Sequence, residues 1–247
     1  MSHWCGGLPG FNLTDRIGWR DDRPGNEVLH ETTRPSLGVT TDVSRGCPAL
    51  SGVSSTAQGT AQSATRLDVE RFIDEVKRAR LESDGQKAVE EVLRRTVSNP
   101  KAVLHGLGEP TEAGIHTLYR GDALTILNVV WAPLMVLLPH NHNMWASIGI
   151  YTGREDNIIW ERSGRAIEAS RAAALSETEV FGLASDAIHS VTNPVERLTG
   201  AIHIYGGDFF KPGRSEWDAE TLQERPFDLE GARRRFREAS ERFESVR

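Results

Sequence analysis

The sequence predicts an all-β core, a jelly-roll barrel, with two helices before it and one after it. Three observations lead there. After Gly114 eight or so short apolar segments recur at close spacing, divided by Gly, Pro, Asn, Asp and Ser; that rhythm belongs to a sandwich or barrel rather than to alternating strands and helices. Ahead of them, and again near the end, apolar residues recur every three or four positions, as along one helical face. The 247 residues and 38% hydrophobic content suffice for one domain with a buried core plus appendages.

Taken in order, residues 1–65 show little periodicity. CPALSGVSSTAQGTAQSAT, which ends this stretch, is rich in Ser, Thr, Gly and Ala and buries too little to offset the entropy of ordering it. An irregular tail or linker is expected, and its His3 and His30 carry no pattern. MSHWCGGLPGF has no basic start leading into an apolar core, so no signal peptide is read. Cys5 and Cys47 are too few for a disulfide framework, and a cytoplasmic location is the expectation.

Residues 66–212 are read as the helices and barrel. Val69, Phe72, Ile73 and Val76 line one face of a first helix; a second, roughly Gln86 to Val97, presents Val89, Val92, Leu93 and Thr96, and Pro100 closes it. HTLYR, ALTILNVVW, LMVLL, MWASIGIY, NIIWER, AIEAS, EVFGL and AIHIYGGDF read as strands. The apolar run Ile126–Leu138 contains Asn128 and Pro133 and falls short of the roughly 20 residues of a membrane span, so it reads as two buried strands. Residues 213–247 look irregular until an amphipathic helix, about Asp228 to Phe243, expected to pack on the outside of the barrel. Its Arg233–Arg235 run reads as a solvated face. With a net charge of −6 and no basic stripe, nucleic-acid and anionic-membrane binding are excluded as defaults.

The candidate chemistry lies in LLPHNHNMW. If this segment is extended, His140 and His142 point to one side, and His189, in SDAIHSVTN, follows far enough on for a sheet to return to the same place. Neutral imidazole is the commonest metal ligand, and three on one inward face leave coordination positions open, which is a catalytic stoichiometry. His105 and His116 read as ordinary hydrogen-bonded core residues. Glu155, in YTGREDN, lies too far along the chain to be a fourth ligand.

HNH followed by IHSVTN, among short strands, resembles the two metal motifs of the cupin superfamily, in which His-x-His and a later His hold one divalent ion. The usual cupin pattern adds a Glu shortly after the second His, but Met144 to Gly149 contain no acid. A cupin with three histidine ligands is similar to the thiol dioxygenases, of which cysteine dioxygenase is one. That family carries a Tyr–Arg pair on an early strand, the Arg holding the substrate carboxylate; LYRGD supplies Tyr119 and Arg120. It also carries a His-x-Tyr after the third ligand, the Tyr hydroxyl reaching the metal pocket and the His supporting it; AIHIYGG supplies His203 and Tyr205. Some members crosslink that Tyr to a Cys five residues past the second His, where this chain has Ser147.

The resemblance spans about Ile115 to Asp208. It implies a cupin double-stranded β-helix, an Fe(II) cofactor, and a small thiol carboxylate, cysteine or 3-mercaptopropionate in type, oxidised with O2 to a sulfinic acid. Three neutral ligands leave the metal its full charge, which suits an anionic thiolate. On this reading Arg120 fixes the carboxylate and Tyr205 donates a hydrogen bond to the reacting oxygen. Another metal-dependent cupin enzyme, an oxygenase or isomerase acting on a non-thiol acid or diketone, and a non-enzymatic metal or small-molecule binder stay open, because one barrel hosts many chemistries.

Overall fold

Asp68, Asp84 and Asn99 each accept a hydrogen bond from the backbone N–H three residues on, and each starts a helix. In the computed structural model, which describes residues 66–164 and 166–245, these are α1 (Val69–Ala79), α2 (Gly85–Val97) and α3 (Pro100–Leu107). The tail expected over residues 1–65, with both cysteines, lies outside the described residues. Within the described residues three helices precede the barrel rather than two. Pro100 does not only end α2: as the first residue after an Asn cap, it begins α3, where its missing N–H costs nothing.

Eleven strands follow among the described residues, all paired antiparallel. One sheet has the order β1-β2-β9-β4-β7, from Gly114–Gly121, Leu124–Trp131, Thr199–Tyr205, Ala146–Thr152 and Val180–Leu183. The other has the order β11-β10-β3-β8-β5-β6, from Glu224–Pro226, Ser215–Trp217, Val136–Asn141, Ile188–Thr192, Arg154–Ser163 and Ala166–Ser176. Their inner faces meet in a core that includes Leu127, Trp131, Leu137, Ile148, Ile159 and Val191. The outer face of the first sheet carries Ile126, Tyr151, Ile202 and Ile204, and α1–α3 cover it with Phe72, Val76, Val89 and Leu93. Every residue of β2 and β9 is therefore buried. Burial on both faces is why ALTILNVVW is an apolar run instead of an alternation. Gly149 lies where this layer is tightest: a Cβ there would stand 2.7 Å from Leu93 Cγ.

The C-terminal stretch departs from expectation. β10 pairs with β3, bringing Glu216 opposite His140, so the fold keeps no boundary at residue 212. Helix α4 (Leu229–Glu244), capped by Asp228, is not an exterior appendage. Phe236 packs on Trp131 with ring centroids 5.0 Å apart, within the inner core, and Ser240 Oγ accepts from Ala113 N–H at 2.6 Å. Arg233 and Arg234 are exposed, as expected, and Arg235 is half-buried. His105 and His116 are exposed, not core residues. None of the described helices is long and apolar enough to cross a membrane.

Candidate metal centre

β3 and β8 run side by side with His140 directly opposite His189. His142 follows the end of β3, where Asn143, at φ 55°, turns the chain. All three rings are buried, and their nearest ligand atoms lie within 4.8 Å of one another. His142 Nε2 and His189 Nε2 are 3.3 Å apart, close to the roughly 3 to 3.4 Å between two nitrogens that each sit about 2.1 Å from a shared ion. The other ring nitrogen is held in two cases: His140 Nδ1 lies 2.8 Å from Leu138 O and His189 Nδ1 2.7 Å from Asn157 Oδ1. Both partners are acceptors. Each Nδ1 thus bears hydrogen and each Nε2 is left as a donor for a metal.

Burial, the largest cause, keeps these rings neutral. It lowers the pKa of His140 to about 4 and those of His142 and His189 well below the ordinary value, with neighbouring imidazoles adding to the effect. Neutral imidazole is the ligating form. The donor set therefore fits a divalent metal, with no carboxylate in it.

β9 brings His203 and Tyr205 to the same cavity. Tyr205 stacks edge-on to His142 at 5.0 Å, and burial pushes its hydroxyl upward, so it stays a phenol. His203 Nδ1 lies 3.2 Å from the Tyr205 hydroxyl and His203 Nε2 3.2 Å from Glu155 Oε2. The cavity holds only about 30 Å³, room for one or two waters. Beside His140, His189, His203 and Tyr205, its wall is apolar, built from residues such as Leu127, Val191, Phe209, Phe227 and Phe236.

Arg120 and Tyr119 do not join this group. Arg120 donates from Nε and Nη2 to Asp208 at 3.0 and 2.9 Å, and its side chain is 53% exposed. Tyr119 packs with the helix-side cluster, under Lys77. A bulge between Thr117 and Tyr119 sets Tyr119 opposite Ile126, on the face that α1–α3 cover. The guanidinium beside the cavity belongs instead to Arg214. It is 7% exposed, stacks on the wall rings Phe209 and Phe227 at 4.2 and 4.3 Å, and leaves Nη1 without a hydrogen-bond partner. Burial lowers its pKa, and its charge helps hold His140 and His142 unprotonated.

Sequence reading missed Arg214, which sits in KPGRSEW, a stretch without periodicity, and it gave Glu155, rightly read as no ligand, no other place. Glu155 is no ligand, yet it is fully buried behind the centre. Glu155, Asn157 and Ile159 are all buried inward positions two apart on β5, and extending the alternation of NIIWER back by two residues finds the carboxylate. Ser147 needs a correction as well. It pairs with Gly182, whose open side meets Gln86 and Glu90 of α2, so it faces the helices; the inward neighbour of Tyr205 is Ala146. Neither residue carries sulfur.

Two facing antiparallel sheets in this order, with a buried three-histidine cluster between them, define a double-stranded β-helix of the cupin type with a candidate metal centre. No family model matches the sequence. Similar solved structures include an RmlC-like cupin family protein from Methanocaldococcus jannaschii (10% identity, 41% of this chain and 86% of that one, TM-score 0.36). An uncharacterized conserved protein with a double-stranded β-helix domain from Klebsiella pneumoniae matches at 8% identity over 44% of this chain and 83% of that one, TM-score 0.35. A variant of oxalate decarboxylase from Bacillus subtilis matches at 15% identity over 42% of this chain, TM-score 0.34, and the matched part spans 28% of its length. These likenesses concern the fold alone.

Proposed function

We propose that the protein is an iron(II)-dependent thiol dioxygenase that converts a small thiol carboxylate and O2 to a sulfinate. The observation that carries this reading is the donor set: three neutral imidazoles with no carboxylate, beside a buried phenol and a buried guanidinium with an unpaired nitrogen. His140, His142 and His189 would hold the ion. When bound, iron(II) supplies a site of full positive charge that favours a thiolate and the redox chemistry that activates O2.

The chain's own residues do the rest. Arg214 takes the carboxylate, in place of Arg120, whose donors are engaged by Asp208. A charge-assisted bidentate contact there is worth roughly 1.5–3 kcal/mol per bond and is specific to a guanidinium. Phe209, Phe227 and Phe236 keep water out, and Phe209 and Phe227 move to admit a substrate larger than the present cavity. The Tyr205 hydroxyl hydrogen, directed to His203 Nδ1 at rest, turns to the reacting oxygen, with His203 behind it. Both atoms of O2 end on sulfur, and sulfur supplies the electrons that O2 takes up, so no outside reductant is consumed. Among the described residues the wall offers an ammonium group no carboxylate, which favours a 3-mercaptopropionate-type substrate over cysteine.

Oxygen uptake and sulfinate formation by the iron-loaded protein test this. 3-Mercaptopropionate is expected to be turned over fastest, cysteine more slowly, and cysteamine, which lacks a carboxylate, least. A preference for cysteamine would reject the acid clamp. Absence of turnover with all three thiols, in protein that holds iron, would favour a different cupin chemistry or a non-enzymatic metal binder.

A further inference from the structure

We propose that Glu155 is a positioning residue that orients two parts of the centre at once: the metal ligand His189 and the Tyr205–His203 pair. The inference rests on the reading of His189 as a ligand through Nε2. With Nε2 so used, Nδ1–H donates to Asn157 Oδ1, which turns the Asn157 amide so that Nδ2 donates to Glu155 Oε1 at 3.0 Å. Glu155 Oε2 accepts from Trp131 Nε1, a donor-only group, at 2.8 Å. Both oxygens of Glu155 are thus acceptors, the pattern of a carboxylate. No lysine or arginine is among these partners. A fully buried carboxylate with that surrounding is costly unless every lone pair is used.

The remaining partner is His203 Nε2, 3.2 Å from Oε2. Since the carboxylate accepts, Nε2 carries the hydrogen, and only Nδ1 faces Tyr205, at 3.2 Å. Hydrogen exchange between ring and phenol is confined to that one nitrogen. The arrangement is a carboxylate–imidazole–hydroxyl series in which the acid fixes the tautomer of the imidazole. Through Asn157 the same carboxylate fixes the rotation of a metal ligand, a link of the kind that sets ligand basicity.

The test is a ring-nitrogen NMR spectrum of the zinc-loaded full chain with 15N-labelled histidine. In the parent, His203 is expected to be protonated at Nε2. In Glu155→Gln the new NH2 must face a donor, Asn157 Nδ2 at one end or Trp131 Nε1 and the His203 Nε2–H at the other, so the hold on His189 or on His203 is broken and the ring-nitrogen signals of one of them shift. With iron and thiol, Glu155→Gln should lower kcat about tenfold to a hundredfold while KM shifts little, and the loss should be smaller in a Tyr205→Phe background, where only the His189 branch remains. A bare Nε2 in the parent overturns the proposal, as do His203 and His189 signals that are both unaltered in Glu155→Gln. Should Glu155→Gln fail to fold, the parent spectrum alone decides. Failure of the parent to oxidise any thiol would reject the proposed activity and leave the zinc spectrum untouched, so the two failures are distinguishable.

Discussion

The two faces of the five-stranded sheet are made by the same strands and do opposite work. On β2 and β9, Ile126, Ile202 and Ile204 point to the helices and join the apolar cluster there. One residue along, Leu127, His203 and Tyr205 point inward to the cavity. The outer face is a packing surface, and its buried Tyr151 hydroxyl donates to Asn128 at 2.8 Å. The inner face looks onto an interior where imidazoles from both sheets, the Tyr205 phenol and the β5 carboxylate Glu155 are buried and hydrogen-bonded. Alternation along one strand thus separates stability from chemistry at single-residue spacing. Substitutions on the two faces should fail in different ways.

The largest effect is expected at the ligands. His140→Ala and His189→Ala should each take iron content from one per chain toward none, measured by metal analysis, with the helix-side face still folded. Next comes Tyr205→Phe, which should keep iron and lose roughly tenfold to a thousandfold in kcat, the cost of one transition-state hydrogen bond. The mirror-image change is Ile126→Ala, three residues from the cavity-wall residue Val129 but on the other face. It should cost about 2–5 kcal/mol in chemical denaturation and leave turnover per folded molecule nearly unchanged.

Acidity sharpens the contrast. The buried histidines have lowered folded pKa values, about 4 for His140, whereas in the unfolded chain they titrate near about 6.5. Below that value the unfolded state binds more protons, so the metal-free protein should lose stability as pH falls from about 6.5 towards 4. Thermal melts across that range measure it, and a flat profile would contradict neutral burial. The smallest effect belongs to Arg120→Ala. Its ion pair with Asp208 is exposed and screened by solvent, and thiol-acid turnover should not change, whereas Arg214→Lys should weaken it by roughly tenfold or more.

Much of this was legible in the sequence, and the gaps have physical causes. Period-two and period-three-to-four patterns exposed α1, α2 and most strands because each buries one consistent face. The HNH and IHS motifs pointed to the three clustered histidines because two positions of one extended segment share a side. β8 was missed because a five-residue strand flanked by polar turns has no room for a period, and β10 and β11 because three-residue strands have none. Arg120 was misjudged since spacing along β1 cannot reveal a bulge or the Asp208 that engages its guanidinium. Arg214 was invisible for a complementary reason: its burial comes from the Phe209 and Phe227 rings, which no spacing around it announces, and from α4 closing the cavity.

The most direct measurement is diffraction from iron-loaded crystals at the iron absorption edge. One anomalous peak is expected, about 2.1 Å from the Nε2 atoms of His140, His142 and His189, inside the cavity that Tyr205 lines. A peak elsewhere, or none in a protein that holds iron in solution, would contradict the assignment of the inner face as the metal centre.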